Sequence, residues 1–191
     1  MKLLKKEGKK LREEVVSSKA IYEGKILRIK LDEVKLPNGY VTVREIVEHP
    51  NAVALIPIDN DGKIIMINQY RHSAQEVLLE IPAGTMEKNE TPEECAKREL
   101  LEETGYEAKK LKKIFSCYLA PGYSTEFIHI FLATDLIYKG QKTEADEQIK
   151  VVKLSLKEAL EKIKKNEVKD AKTICSILFF IYFHNKNKIN L

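Results

Sequence analysis

The sequence predicts an α/β fold, in which a mixed sheet packs with helices, preceded by an antiparallel β segment. Three observations predict it. Residues 52–58 form an unbroken apolar run, consistent with a buried strand. Thr91-Pro92-Glu93-Glu94 and Ser155-Leu156-Lys157-Glu158 each place a capping box at the head of a helical pattern. Residues 19–48 alternate apolar and charged positions around Pro37-Asn38-Gly39, as a hairpin does.

The elements follow in order. Ile21-Tyr22, Ile26, Ile29, Leu31, Val34 and Leu36 mark the extended N-terminal segment, and residues 40–47 return it. This gives an expected division into residues 1–48, a β segment without an obvious core of its own, and residues 49–191, a main domain. After the buried strand, Asp59-Asn60-Asp61-Gly62 predicts a turn. Residues 63–70 and 78–81 then read as strands. A helix is expected from Thr91 as N-cap to Gly105 as a left-handed C-cap, with Ala96 and Leu100 on its buried stripe. Residues 108–118, 125–134 and 148–154 are further strands. Ser155 opens a helix to about residue 165. Asp170 caps a last helix with Ala171, Ile174, Ile177, Leu178 and Ile181 on its apolar face.

Composition narrows the class. The chain has 191 residues, 43% of them apolar, and a net charge of +4, values that fit one globular domain with a small appendage. The positive surplus at the start (Lys2, Lys5, Lys6, Lys9, Lys10, Arg12) has no interleaved aromatic residues, so no nucleic-acid partner is expected. The apolar stretch 174–183 is too short to span a bilayer, and no membrane partner is expected. Cys95, Cys117 and Cys175 lie far apart without a metal-binding or disulfide pattern. With no signal peptide read at the N-terminus, a cytoplasmic location is the expectation.

The chemistry concentrates between Gly84 and Tyr106. Glu99, Glu102 and Glu103 sit at i, i+3 and i+4 of the expected helix and share a face. Like charges so placed cost an isolated helix roughly 0.2–0.5 kcal/mol per pair. A hard divalent cation removes that cost, because Mg²⁺ and Mn²⁺ prefer clustered carboxylate oxygens. A plain ladder of ion pairs through Glu94, Arg98 and Glu102 accounts for those three residues but not for Glu99 above Glu103.

The full spacing, Gly84-x5-Glu90-x7-Arg98-Glu99-Leu100-x-Glu102-Glu103-x-Gly105-Tyr106, resembles the Nudix box. Tyr106 is its one departure, aromatic where the pattern has an aliphatic residue. The resemblance implies the Nudix fold, an α-β-α sandwich with a mixed sheet. Flanking pieces resemble the ADP-ribose pyrophosphatase branch of this superfamily: Arg44 to His49, Gln69-Tyr70-Arg71, Leu79 to Gly84, Pro121 to Glu126, and Asp170 to Thr173. That branch implies hydrolysis of ADP-ribose to AMP and ribose 5-phosphate, and a homodimer that exchanges its N-terminal β segment. It also implies cations (Mg²⁺ or Mn²⁺) held by Glu99, Glu103 and the Ala83 carbonyl, with Glu102 at a second ion. Arg98 would orient the glutamates. Arg71 and Arg44 would bind diphosphate or adenosine, and Glu126 the terminal ribose or the partner chain.

The general base would lie in the acidic loop before the last strand, at Glu147 first and Glu144 second. The bland alternative for each arginine is a solvated strand position, and for the loop a solvated turn. Two other functions stay open. One is a Nudix diphosphatase acting on GDP-mannose, another nucleotide sugar or FAD. The other is a module that binds ADP-ribose without cleaving it.

Overall fold

The computed structural model describes residues 10–142 and 148–189, with side chains to residue 183. The chain forms two compact units. The first comprises the described residues up to Pro50 together with Ala120–Glu126; the second comprises Asn51–Leu119 and the residues from Phe127 onward.

The first unit is an antiparallel sheet of β1 (Glu14–Glu23), β2 (Arg28–Lys35) and β3 (Val41–Glu48), in that spatial order. The sequence predicts a hairpin here, and the structure adds a third strand. The additional turn is tight, closed by the Gly24 N–H donating to the Leu27 carbonyl at 2.9 Å. The expected turn at Pro37-Asn38-Gly39 is present, with Gly39 at φ +86°. The loop 120–126 joins this sheet far from its neighbours in sequence: Val47 N–H donates to the Tyr123 carbonyl at 2.8 Å, and Thr125 N–H to the Val47 carbonyl at 3.0 Å.

The second unit contains two sheets. One is antiparallel, with β5 (Ile64–Arg71) between β6 (Glu76–Glu80) and β10 (Ile149–Leu154). The other is mixed, in the order β7 (Ala83–Thr85), β4 (Ala52–Pro57), β9 (Phe127–Tyr138), β8 (Tyr106–Tyr118), with β4 and β9 parallel. Among the described residues three helices complete it: α1 (Pro92–Thr104), α2 (Leu156–Lys164) and α3 (Ala171–Ile189).

The layering explains why β4 reads as a continuous apolar run. Ala52, Ala54 and Ile56 enter one core with Ile64, Met66, Ile128, Ile130 and Ile177. Val53 and Leu55 point the other way, to Ala96, Leu100 and Phe131. Every β4 residue is therefore buried, and each large side chain contributes about 1.5–3 kcal/mol relative to exposure. The α-β-α arrangement follows, with α1 on one core and α2 and α3 on the other. Among the described residues no helix is long and apolar enough to cross a membrane.

Candidate active site

The site is assembled on α1 and on the short strand β7 beside it. The Thr91 side chain accepts from the Glu94 N–H, and the Glu94 carboxylate takes the Thr91 N–H in return. At the other end Gly105 adopts φ 77° and its N–H bonds the Leu101 carbonyl. A Cβ at Gly105 would also crowd Gly140, Gln141 and the Tyr138 ring. Tyr106, the aromatic departure from the box, meets Tyr138 edge-on at 5.1 Å between ring centres and packs on the α1 core.

The helix is buried on two sides rather than one. Ala96 and Leu100 are fully buried as expected, and Glu99 and Glu103 are nearly so, at 9% and 2% exposure. Arg98 makes this burial of carboxylates tolerable. Its Nε and Nη2 grip Glu90 at 2.9 and 3.0 Å, and its Nη1 donates to Glu99 at 2.7 Å and Glu102 at 3.0 Å. Nη2 also donates to the Thr85 carbonyl at 3.2 Å, which ties α1 to β7. The Arg98 guanidinium, helped by the Glu87 N–H, holds the Glu90 carboxyl down at about 2 against the opposing effect of burial. Cys95 is fully buried, and that burial pushes its thiol well up, so it is inert packing rather than a nucleophile.

Gly84 is required by close approach, not by backbone conformation. A Cβ there would overlap the carboxyl group of Glu99. The neighbouring Ala83 N–H donates to Glu103 Oε2 at 2.8 Å. In the β7–β4 ladder the Pro82 carbonyl accepts from Leu55 N–H and Met86 N–H donates to the Asn51 carbonyl, both at 2.9 Å. Residues alternate along an antiparallel ladder, so Ala83 turns its N–H and its carbonyl away from β4, and the N–H meets Glu103.

These groups fit a hard divalent cation. The donors are all oxygen, Arg98 holds Glu99 and Glu102, the Ala83 N–H holds Glu103, and the bare Cα of Gly84 leaves room for the Glu99 carboxyl. Among the described residues no three acidic, histidine or cysteine side chains are grouped so that all could hold one metal ion. That is compatible with Mg²⁺, which characteristically takes one or two carboxylates and completes its shell with water and substrate phosphate. Glu99, Glu103 and the Ala83 carbonyl would hold one ion and Glu102 a second.

A second polar cluster, which the sequence pattern does not announce, lies on the segment leading into β7. Glu80, its side chain 1% exposed, accepts from Arg71 Nε and Nη2 at 2.8 and 2.9 Å and is also paired with Lys172. Burial alone would raise the Glu80 carboxyl, but the two cations hold it below the usual range. Arg71 in turn feels Glu80 most strongly, and Glu103 and Asp170 after it. The expected diphosphate arginine is thus anchored along one edge by a buried carboxylate. The hints in the sequence were the flanking pieces that carry these residues, Gln69-Tyr70-Arg71, Leu79 to Gly84 and Asp170 to Thr173, none of which says that they meet.

Arg44 is in the first unit, where its Nε and Nη2 engage Glu13 at 3.1 and 2.7 Å. Glu126 belongs to the same unit, its N–H bonded to Ser124 Oγ at 3.1 Å. Glu144 and Glu147 lie outside the described residues.

Fold and box agree with the wider comparisons. Residues 48–177 match the NUDIX domain, and residues 13–47 match the nucleoside diphosphate sugar hydrolase N-terminal domain. The chain belongs to the Nudix family. It is 44% identical to an ADP-ribose pyrophosphatase of Bacillus subtilis (strain 168) over 173 residues, covering 90% of this chain and 94% of that one. It is 40% identical to a methanol dehydrogenase activator of Bacillus methanolicus over 174 residues, with the same coverage, 90% and 94%. The crystal structure of an ADP compounds hydrolase superposes with a TM-score of 0.83 at 21% identity, covering 92% of this chain and 96% of that one, a likeness of fold.

Proposed function

We propose that the chain hydrolyses the diphosphate linkage of ADP-ribose to AMP and ribose 5-phosphate, with Mg²⁺ or Mn²⁺ as cofactor. The observation that carries this reading is the pairing of Glu99 and Glu102 with Arg98 on the helix whose Glu103 accepts the Ala83 N–H. The likeness to the Bacillus subtilis pyrophosphatase selects ADP-ribose among nucleoside diphosphate sugars. A bound divalent cation supplies neutralisation of the diphosphate and a lower pKa for water. Arg98 acts by fixing Glu99 and Glu102, not by touching substrate. Arg71 and Arg44 bind the phosphates or the adenosine through their planar donor forks, and Glu126 reaches the terminal ribose or the partner chain. Water attacks phosphorus, the bridging P–O bond breaks, and the departing phosphate takes the electron pair.

Incubation with ADP-ribose and Mg²⁺, followed by chromatography, should give AMP and ribose 5-phosphate in equal amounts. No turnover would overturn the reading, as would faster hydrolysis of GDP-mannose, other nucleotide sugars or FAD in the same panel.

The proton from the attacking water goes to a carboxylate outside the cation cluster, because cation coordination lowers the proton affinity of the box glutamates. Glu147 is that base, with Glu144 second. Glu147→Gln should lower kcat by ~10²–10⁴-fold with little change in metal or substrate affinity, and Glu144→Gln should do less. Near-normal kcat in the double mutant would move the role to Glu102.

The working form is a homodimer in the cytoplasm, where its three thiols stay reduced. Strand β1 is exposed along its whole length and carries Val15, Val16, Ile21 and Tyr22 outward, and Val41 and Val43 do the same on β3. Exposed apolar side chains on both faces of a sheet with an open edge strand call for a covering partner, and a second copy of the chain is the one proposed. Deleting residues 1–48 should give a monomeric or aggregated, inactive chain. A soluble, fully active monomer after that deletion would rule the dimer out.

A further inference from the structure

The backbone leading from Glu80 to Thr85 is held at successive points. Arg71 and Lys172 grip the Glu80 carboxylate. The Ile81 N–H donates to Thr173 Oγ1 at 2.9 Å. Leu55 and Glu103 take the two ends of the Pro82–Ala83 peptide, and Arg98 takes the Thr85 carbonyl. Part of this clamp comes from the first turn of α3, some 90 residues away in sequence and outside the box.

That turn is itself locked. Thr173 is fully buried, and its hydroxyl has one proton to give. The proton goes to Asp170 Oδ2 at 2.5 Å, which leaves a lone pair for Ile81 N–H. Asp170 Oδ2 also accepts the Thr173 N–H at 2.9 Å, as a helix cap does. Lys172, only 10% exposed, bridges Asp170 Oδ1 at 3.0 Å to the buried Glu80. The turn therefore meets the strand on both sides of the Glu80–Ile81 peptide. Pro82 follows, and its fixed φ and missing N–H carry the constraint forward with little slack. Ala83 comes next.

We propose that Thr173, Asp170 and Lys172 are positioning residues for the divalent cation, acting through the Glu80–Ala83 backbone to present the Ala83 carbonyl beside Glu103. The proposal rests on the cation reading of the site. Groups that orient a metal ligand are worth about 10–100-fold in metal affinity when lost.

The test is a Mn²⁺ titration of the full chain without substrate, following the paramagnetic resonance signal of free Mn²⁺. The set is wild type, Glu103→Gln, Thr173→Val, Thr173→Ser and Lys172→Met, each with thermal unfolding in the absence of metal. Thr173→Val keeps the shape and removes both hydrogen bonds. It should weaken Mn²⁺ binding about 10-fold or more, with Lys172→Met in the same direction and Thr173→Ser restoring affinity to within about threefold. At saturating metal the KM of Thr173→Val for ADP-ribose should be unchanged.

A folded Thr173→Val chain with wild-type Mn²⁺ affinity overturns the proposal, even if its Tm falls. If Thr173→Val fails to fold, Lys172→Met decides by the same criterion. Loss of Mn²⁺ in Glu103→Gln but not in these variants removes the α3 proposal and leaves the cation site standing. A wild-type chain that takes up no Mn²⁺, or a Glu103→Gln chain that binds it normally, removes both.

Discussion

Replacing Glu103 by glutamine should lower turnover of ADP-ribose at saturating Mg²⁺ by about 100-fold or more, since a bound cation supplies several kcal/mol of charge stabilisation. The fold should survive. Glu103 is 2% exposed, and its Oε2 accepts the Ala83 N–H at 2.8 Å. A glutamine carbonyl oxygen can accept that same bond, so the strand–helix tie is kept and only the charge is removed. Circular dichroism and Tm should therefore stay near wild type while kcat collapses. Activity within about threefold of wild type would show that no transition-state interaction of consequence passes through this carboxylate.

Gly84→Ala should be nearly as damaging, although it adds one methyl group. The backbone of Gly84 is ordinary strand, paired with Val53 in the β4–β7 ladder, so alanine meets no conformational objection. The objection is steric, because the new Cβ would occupy the place of the Glu99 carboxyl. Glu99 must swing away and give up its 2.7 Å bond from Arg98. Overpacking of this kind costs about 1–3 kcal/mol of stability. The functional loss should be larger, about 100-fold in kcat, because reacting groups misplaced by an ångström lose that much. A double-mutant cycle with Glu99→Ala isolates the cause. Gly84→Ala should add little once Glu99 is gone, whereas full additivity would mean that the glycine acts through something else.

The residues of the active site divide according to how far their partners lie along the chain. Thr91, Pro92, Glu94 and Gly105 declare α1 from the sequence because caps act on amide groups within four residues. The face shared by Glu99, Glu102 and Glu103 follows from helical periodicity alone. The same locality made β4 legible: a strand buried on both faces needs apolar side chains at every position.

Long-range partners left no such mark. The carboxylate that fills the space above Gly84 is 15 residues away (99 − 84), and Glu80 reads as one more acidic residue until Arg71 and Lys172 close on it. The third strand of the N-terminal sheet, the strand β7 with three residues, and the docking of residues 120–126 on Val47 were likewise decided in three dimensions. The sequence by itself determined the class of fold and the box helix, because both rest on periodicity and on capping over one or two turns. Tertiary structure decided which oxygens meet and what holds Ala83 in place, because ion pairs and ladder bonds between distant segments carry no local preference that a single chain of letters can display.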